Sequence, residues 1–239
     1  MRVNWNAIKM LVLVLVMVGL YGFSDYRGNQ RAIEEIEIKF LGDNDLYLTE
    51  DAVNKLLIQN YGSVKKGGKE QVVLNTIEEI IESNPMVKNA QVYFSVKGKL
   101  ISEIVQRKPI GRVEGVNRFY LDDEGKRMPL SQYHSARVPI ITGKITGKSL
   151  EDAYVILNYI YKDEFLRKNV IGIHIKEEGD YQLKLRVEEF VVNLGDIQNL
   201  DEKFKNFMAF YLKATKDNTL EKYAVISLEF DNQVVCTKI

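Results

Sequence analysis

The sequence is poor in cysteine, histidine and proline, and it has no excess charge of either sign. Its one cysteine, Cys236, excludes an intramolecular disulfide, and with only 2 histidines a His/Cys metal site is not expected. Lys plus Arg and Asp plus Glu each number 33, so the chain lacks the basic excess typical of nucleic-acid-binding proteins. With 4 prolines and 16 glycines in 239 residues, long flexible linkers are not expected either.

Catalytic motifs are also missing from the sequence. It has no Gly-x-Ser-x-Gly element and no histidine pair at helical spacing. Asp122-Asp123-Glu124-Gly125 groups three carboxylates, which in principle can bind a metal or act as acid and base. We interpret this stretch as a turn, with Gly125 in the left-handed conformation. The sequence therefore predicts no enzymatic activity, no cofactor and no small-molecule substrate.

What remains is a globular composition with one long apolar run near the N-terminus. The run from Met10 to Phe23 is about 14 residues, shorter than the roughly 20 that a bilayer core requires, but extension back to Trp5 gives about 19. We predict an uncleaved transmembrane helix over residues 5–23. The alternative is a cleaved signal peptide, but no small-residue cleavage site follows the run. Basic residues flank both ends, so charge alone does not set the orientation. The residues predicted to contact the lipid bilayer are Trp5, Leu11, Val14, Val18 and Phe23.

Hydrophobic periodicity predicts a strand, two helices and two strands between residues 33 and 106. The first strand alternates from Ile33 to Phe40, and Thr49 is typical of the N-cap of the first helix. The second helix ends before Pro85, which cannot continue it. A strand hairpin then follows over residues 90–106.

From residue 109 onward the patterns predict mainly strands, with two helices. Ser149 with Asp152, and Asn199 with Glu202, have the spacing of helix N-caps. Together with the first region, this predicts an α+β fold whose larger part is a mostly antiparallel β domain. The predicted strands of this region are 110–114, 118–121, 171–187 as a meander, 190–194 and 223–230.

A series of short motifs from Pro85 to Gly125 resembles the FtsQ/DivIB cell-division family. In order they read Pro-x-Val-x-x-Ala-x-Val, a strand pair, Arg-x-Pro and Tyr-Leu-Asp-x-x-Gly. One departure is Gln106, where the family usually has Glu. The matching positions are Pro85, Val87, Ala90, Val92, Arg107, Pro109, Tyr120, Leu121, Asp122 and Gly125.

The resemblance implies a three-part organisation. Residues 1–31 would be a short cytoplasmic tail and transmembrane anchor, 32–108 a POTRA-like domain, and 109–239 an FtsQ-type β domain. Arg107 and Pro109 mark the expected hinge between the last two. The N-terminus would be cytoplasmic and the bulk of the chain periplasmic or otherwise extracytoplasmic.

The resemblance also implies a function. We expect a non-enzymatic, single-pass scaffold of the divisome in the cytoplasmic (inner) membrane at the division septum. It would link early and late division proteins and bind FtsB and FtsL to support septal cell-wall synthesis. Two alternatives stay open: a POTRA-bearing component of protein export or outer-membrane assembly, and a cleaved, freely periplasmic binding protein.

The predicted partner site lies at the C-terminal end of the chain. Strand 223–230 is the final strand in the sequence, so we expect it at a sheet edge, where unpaired N–H and C=O groups are a template for another chain. A partner, by resemblance FtsB, would add a strand there. The alternative gives Phe230 and Val235 core roles only. The predicted partner-binding residues are Val225, Ser227, Phe230, Asn232, Val235 and Thr237.

Overall fold

The chain has an α+β fold and divides into two compact units, residues 1–106 and 107–239. The structure is a computed structural model that describes residues 5–29, 36–42, 47–60, 70–95, 99–177, 179–230 and 233–239. The two units are described separately below.

The first unit opens with a 25-residue helix, α1 (Trp5–Asn29). The large apolar side chains from Met10 to Phe23 are 51–78 % exposed, and the five residues predicted to contact lipid are among the exposed side chains. Within the described ranges, no helix combines the length and the apolar character that a membrane crossing requires. The predicted transmembrane span is therefore not supported by the structure.

The rest of the first unit follows the expected order of strand, helix, helix, strand and strand. Its sheet has the order β1-β3-β2, with β1 parallel and β2 antiparallel to β3. Residues 33–35 of the predicted first strand lie outside the described residues. The elements are β1 (Ile36–Leu41), α2 (Glu50–Gln59), α3 (Glu70–Glu82), β2 (Val87–Phe94) and β3 (Leu100–Gln106).

Local sequence signals explain the two helices that cover this sheet. Thr49 is the N-cap of α2, and its Oγ1 accepts a hydrogen bond from the Ala52 N–H at 3.3 Å, as predicted. Val53 of α2 is fully buried, as is Ile81 of α3. These side chains lie on the helix faces that their spacing predicts, so burial of the apolar stripes stabilises the unit.

The second unit is built on one nine-stranded sheet of order β12-β11-β10-β9-β8-β7-β4-β5-β6. Five of its eight pairings are antiparallel, and the β4–β7, β7–β8 and β10–β11 pairings are parallel. The strands are β4 (Pro109–Val113), β5 (Phe119–Asp122), β6 (Arg127–Met128), β7 (Ile140–Gly143), β8 (Val170–Glu177), β9 (Asp180–Leu185), β10 (Val191–Gly195), β11 (Tyr223–Ser227) and β12 (Val235–Lys238). The helices are α4 (Gly147–Lys162), α5 (Glu164–Asn169) and α6 (Leu200–Lys216).

The two faces of this sheet differ in burial. Ile173 and Leu183 are buried in one core with Ile156 of α4 and Phe207 of α6. The alternate residues His174 and Lys184 are exposed on the other face. This alternation is the one that the sequence predicts for the 171–187 meander, and it leaves one face of β8 and β9 toward solvent.

Both predicted caps of the second unit need correction. Helix α4 begins one turn earlier than expected: its N-cap is Thr146, whose Oγ1 accepts from the Ser149 N–H at 3.1 Å while Ser149 Oγ accepts from the Thr146 N–H at 2.8 Å. Asp152 instead accepts a hydrogen bond from the Tyr181 hydroxyl at 2.7 Å. Asn199 does precede α6, but its φ of 53° is left-handed and its side chain makes no capping bond.

The Arg-x-Pro and Tyr-Leu-Asp-x-x-Gly motifs meet at the buried carboxylate of Asp122. The Arg107 Nη1 donates to Asp122 Oδ2 at 2.7 Å, and Asp122 Oδ1 accepts from the Glu124 and Lys126 N–H groups at 3.0 and 2.7 Å. Gly125 has a φ of 76°, so the predicted turn is confirmed. Pro109 begins β4. The predicted hinge arginine is thus tied by its side chain to the second unit.

Candidate partner-binding surface

The C-terminal edge of the nine-stranded sheet is β12 rather than the predicted strand 223–230. β11 ends at Ser227 and lies between β10 and β12, so it is an interior strand. The expectation that residues 223–230 form the edge is therefore wrong. After β11 the chain returns as β12, which pairs antiparallel with β11 and has no strand on its outer side within the described sheet.

The predicted partner-binding residues fall into three groups. Val225 and Ser227 belong to the interior strand β11, and Ser227 is buried. Val235 and Thr237 lie on the edge strand β12 and are exposed. Phe230 follows β11 and is 49 % exposed, which argues against a purely core role for it. Asn232 lies outside the described residues.

Strand register places four of these residues in two rows across the sheet. Val225 is paired with Val191 on one side and Thr237 on the other. Ser227 is paired in the same way with Asn193 and Val235. Side chains directly opposite each other share a face of the sheet. The edge strand therefore continues the rows of β10 and β11 that lie on the sheet face opposite Val192 and Ile226 of the core.

The hydrogen bonds of β11 show which backbone groups of β12 are free to accept a partner. The Leu228 N–H donates to the Asn193 carbonyl of β10 at 2.8 Å. Because backbone N–H and C=O groups alternate in direction along a strand, those of Val225 and Ser227 point the other way, toward β12. Their register partners Thr237 and Val235 must then face β11. The outward backbone groups of the edge are those of Cys236 and Lys238, which the sequence-based prediction did not include.

Cys236 alternates with Val235 and Thr237, and its side chain points to the core side of the sheet. It is half-buried, and burial raises the pKa of its thiol. A raised pKa leaves less of the nucleophilic thiolate at neutral pH. The described residues contain no group of His, Cys, Asp and Glu that could hold a metal ion.

Phe230 lines a shallow surface depression beside the edge. Lys203, one of the lining residues, forms an ion pair with Asp196, in which Nζ lies 2.7 Å from Oδ1. This hydrogen bond lowers the pKa of Asp196. The depression thus combines an exposed aromatic ring with polar neighbours, a composition suited to an apolar anchor of a partner. Its lining residues are Asn199, Glu202, Lys203, Asn206, Leu228, Phe230 and Gln233.

Glu229 holds the end of β11 in place. Its Oε2 accepts from the Ser227 hydroxyl at 2.8 Å. Its Cγ lies only 2.8 Å from where a Cβ on Gly195 would be, and Gly195 has a φ of 67°. Ser227 and Glu229 therefore both have a local packing role at the end of β11.

Comparison with known proteins identifies the second unit. A family model described as FtsQ/DivIB, C-terminal related matches residues 108–237, which is more than half of the 239-residue chain. No curated protein gives a significant match. The match covers every strand of the nine-stranded sheet except Lys238, the last residue of β12.

Proposed function

Because the chain belongs to the FtsQ/DivIB family, whose members are non-enzymatic scaffolds of cell division, we propose that it is itself a scaffold of the bacterial divisome. It has no catalytic role of its own in this proposal. It links early division proteins to the late proteins of septal cell-wall synthesis and acts at the division septum.

The partners we propose are FtsB and FtsL, with FtsB bound through the C-terminal edge. The observation that carries this proposal is the open strand β12 at the end of the family-matched sheet. A strand of the partner would bond to the outward groups of Cys236 and Lys238, and the side chains of Val235 and Thr237 would provide selectivity. Phe230 lies beside this edge as an additional contact.

Replacing Cys236 by proline tests strand addition, with Cys236→Ala as the matched control. Both variants lose the thiol, but only proline removes the outward N–H. We expect Cys236→Pro to weaken FtsB capture by roughly tenfold, which corresponds to loss of one well-made hydrogen bond and local strain. Cys236→Ala should bind as the natural chain does. The measurement is titration of the full chain, in detergent, with purified cognate FtsB.

A truncation provides the second arm of this test. Ending the chain after Val234 removes β12 but keeps all of β11, and circular dichroism checks that the fold survives. Equal FtsB affinity of the truncated and natural chains would show that the edge strand is not the site. Loss of binding by both the proline and the alanine variants would point to the side chain of Cys236 instead of its backbone.

We further propose that the first unit is a POTRA-like module that recruits the chain to other divisome proteins, and that residues 32–108 fold independently of the β domain. The order of its elements and its β1-β3-β2 sheet support this proposal. Expression of residues 32–108 alone, followed by hydrogen exchange, tests it. We expect exchange-protected amides in β3, and their absence would place the boundary elsewhere.

Helix α1 is proposed as the anchor of the chain in the cytoplasmic membrane, with its N-terminus cytoplasmic. The support is its continuous exposed apolar surface, which water solvates poorly. A single pass would require Lys9 to extend toward the headgroups, because the fully apolar run begins at Met10.

An arginine at Val14 tests this anchor. Placed at the centre of a membrane helix, it should cost about 2.5–3.5 kcal/mol of insertion free energy. We expect the natural chain to resist carbonate extraction from native membranes and the Val14→Arg chain to be released in part. A native protein that begins near Ser24 and fractionates as soluble would contradict the anchor proposal.

A further inference from the structure

The free edge of β2 in the first unit is covered by two carboxylates from helix α3. β2 is an outer strand of its sheet. The Val92 N–H donates to Glu78 Oε1 at 2.7 Å, and the Ala90 N–H donates to Glu82 Oε1 at 3.0 Å. Because these two N–H groups bond to side chains instead of to β3, they point outward, where a further strand would supply their acceptors.

The spacing of the helix matches the spacing of the strand edge. Glu78 and Glu82 are one helical turn apart, about 6 Å along the axis, and Ala90 and Val92 are two strand residues apart, about 6.6–6.8 Å. The later glutamate contacts the earlier strand residue, so α3 and β2 run in opposite directions at this contact. Two successive outward N–H groups are therefore satisfied by two successive carboxylates.

We propose that Glu78 and Glu82 form an autoinhibitory clasp that closes the β2 edge to strand addition. The occupant that the clasp excludes is β2 of a second copy of this chain. The inference concerns the first unit and stands independently of the divisome function proposed above.

The sequence of β2 suits pairing with itself. A two-fold axis at Gln91 brings Ala90 of each copy opposite Val92 of the other, so both outward N–H groups gain backbone acceptors. The same axis pairs Asn89 with Tyr93. These side chains are exposed and uncharged, so no like charges meet across the axis.

The test uses the full chain in detergent, with Glu78 and Glu82 both replaced by alanine. The matched control replaces both by glutamine, whose Oε1 still accepts from the strand. A cysteine substitution, Gln91→Cys in a Cys236→Ser background, reports pairing. In the proposed dimer the two Gln91 positions form a non-hydrogen-bonded pair with Cα atoms about 4.5 Å apart, within disulfide reach.

We expect the alanine pair to raise the yield of the Gln91→Cys disulfide dimer roughly tenfold over the intact clasp, and the glutamine pair to leave it unchanged. Glu79→Ala, an exposed neighbour on α3, controls for the change of charge. Hydrogen exchange of residues 86–95 should be about tenfold faster in the dilute alanine variant and should slow again as its concentration rises.

Two results would overturn the proposal. Equal disulfide yield and equal exchange in the intact and alanine chains would show that the carboxylates do not close the edge. Faster exchange without any gain in disulfide would show that the opened edge does not accept a second copy. If the double alanine variant is misfolded by circular dichroism, Glu82→Ala alone is used, and a smaller gain in disulfide is then expected.

Discussion

Replacing Asp122 by alanine is expected to destabilise the second unit by about 3–5 kcal/mol, because it leaves a largely buried arginine without its nearest carboxylate. Asp122 is fully buried and Arg107 has only 15 % of its side chain exposed. The same carboxylate also accepts the two backbone N–H groups that close the turn before β6. Loss of the carboxylate therefore removes three acceptor bonds at once.

Urea unfolding followed by hydrogen exchange measures this effect, because exchange reports the peptides of residues 107–239 separately from those of the first unit. Asp122→Asn should cost less, since its Oδ1 can still accept from the turn. Glu124→Ala is the control: that carboxylate lies 3.6 Å from Arg107 but is 39 % exposed, so a loss under about 1 kcal/mol is expected. An Asp122→Ala chain as stable as the Glu124→Ala chain would contradict the structural role of the buried pair.

Hydrophobic periodicity predicts the helices and strands of this fold better than it predicts which strands lie next to each other in the sheet. The β8–β9 meander, the turn at Gly125 and the stripes of α2 and α3 depend on residues close in sequence, and the structure confirms them. The error at β11 has a different origin. α6 and its connections separate β10 from β11, and no local pattern tells that β11 returns parallel to β10 or that the chain then forms β12.

Competing local signals explain the shifted start of α4. Thr146 and Ser149 are both good N-cap residues, three positions apart, and each has a plausible partner downstream. In the structure the Tyr181 hydroxyl binds the Asp152 carboxylate that an N-cap at Ser149 would have used. Tyr181 is 29 residues away in sequence, so capping statistics cannot include it.

The candidate partner surface shows the same limit. Sequence reasoning located the C-terminal segment and chose Val235 and Thr237, which the structure places on the edge strand. The sequence does not predict Cys236 and Lys238, because the direction of a backbone N–H depends on the hydrogen-bonding phase of β10 and β11, that is, on which alternate residues of each strand bond to which neighbouring strand. The Leu228 to Asn193 bond and the strand register show that phase, and a side-chain pattern encodes neither.

Gln106 is the departure from the family motif, and its side chain explains why an amide suits this position. Its Oε1 accepts from the Tyr47 and Leu48 N–H groups at 3.0 and 3.1 Å, and its Nε2 donates to the Leu48 carbonyl at 3.1 Å. It is 6 % exposed, and both partners are buried. One amide thus satisfies three buried backbone groups at the segment that leads into α2.

Replacing Gln106 by leucine should therefore destabilise the first unit by about 3–5 kcal/mol, since each buried backbone group left unpaired costs about 1–3 kcal/mol and the costs overlap. Gln106→Glu should also destabilise the unit, because it keeps the acceptor for both N–H groups but places a carboxylate at a buried position opposite the Leu48 carbonyl. Gln91→Leu, at an exposed position of β2, should change stability by no more than about 0.5 kcal/mol. Hydrogen exchange in urea over residues 47–57 and 100–106 distinguishes these cases. If the leucine variant is as stable as the natural chain, these three bonds do not hold the segment.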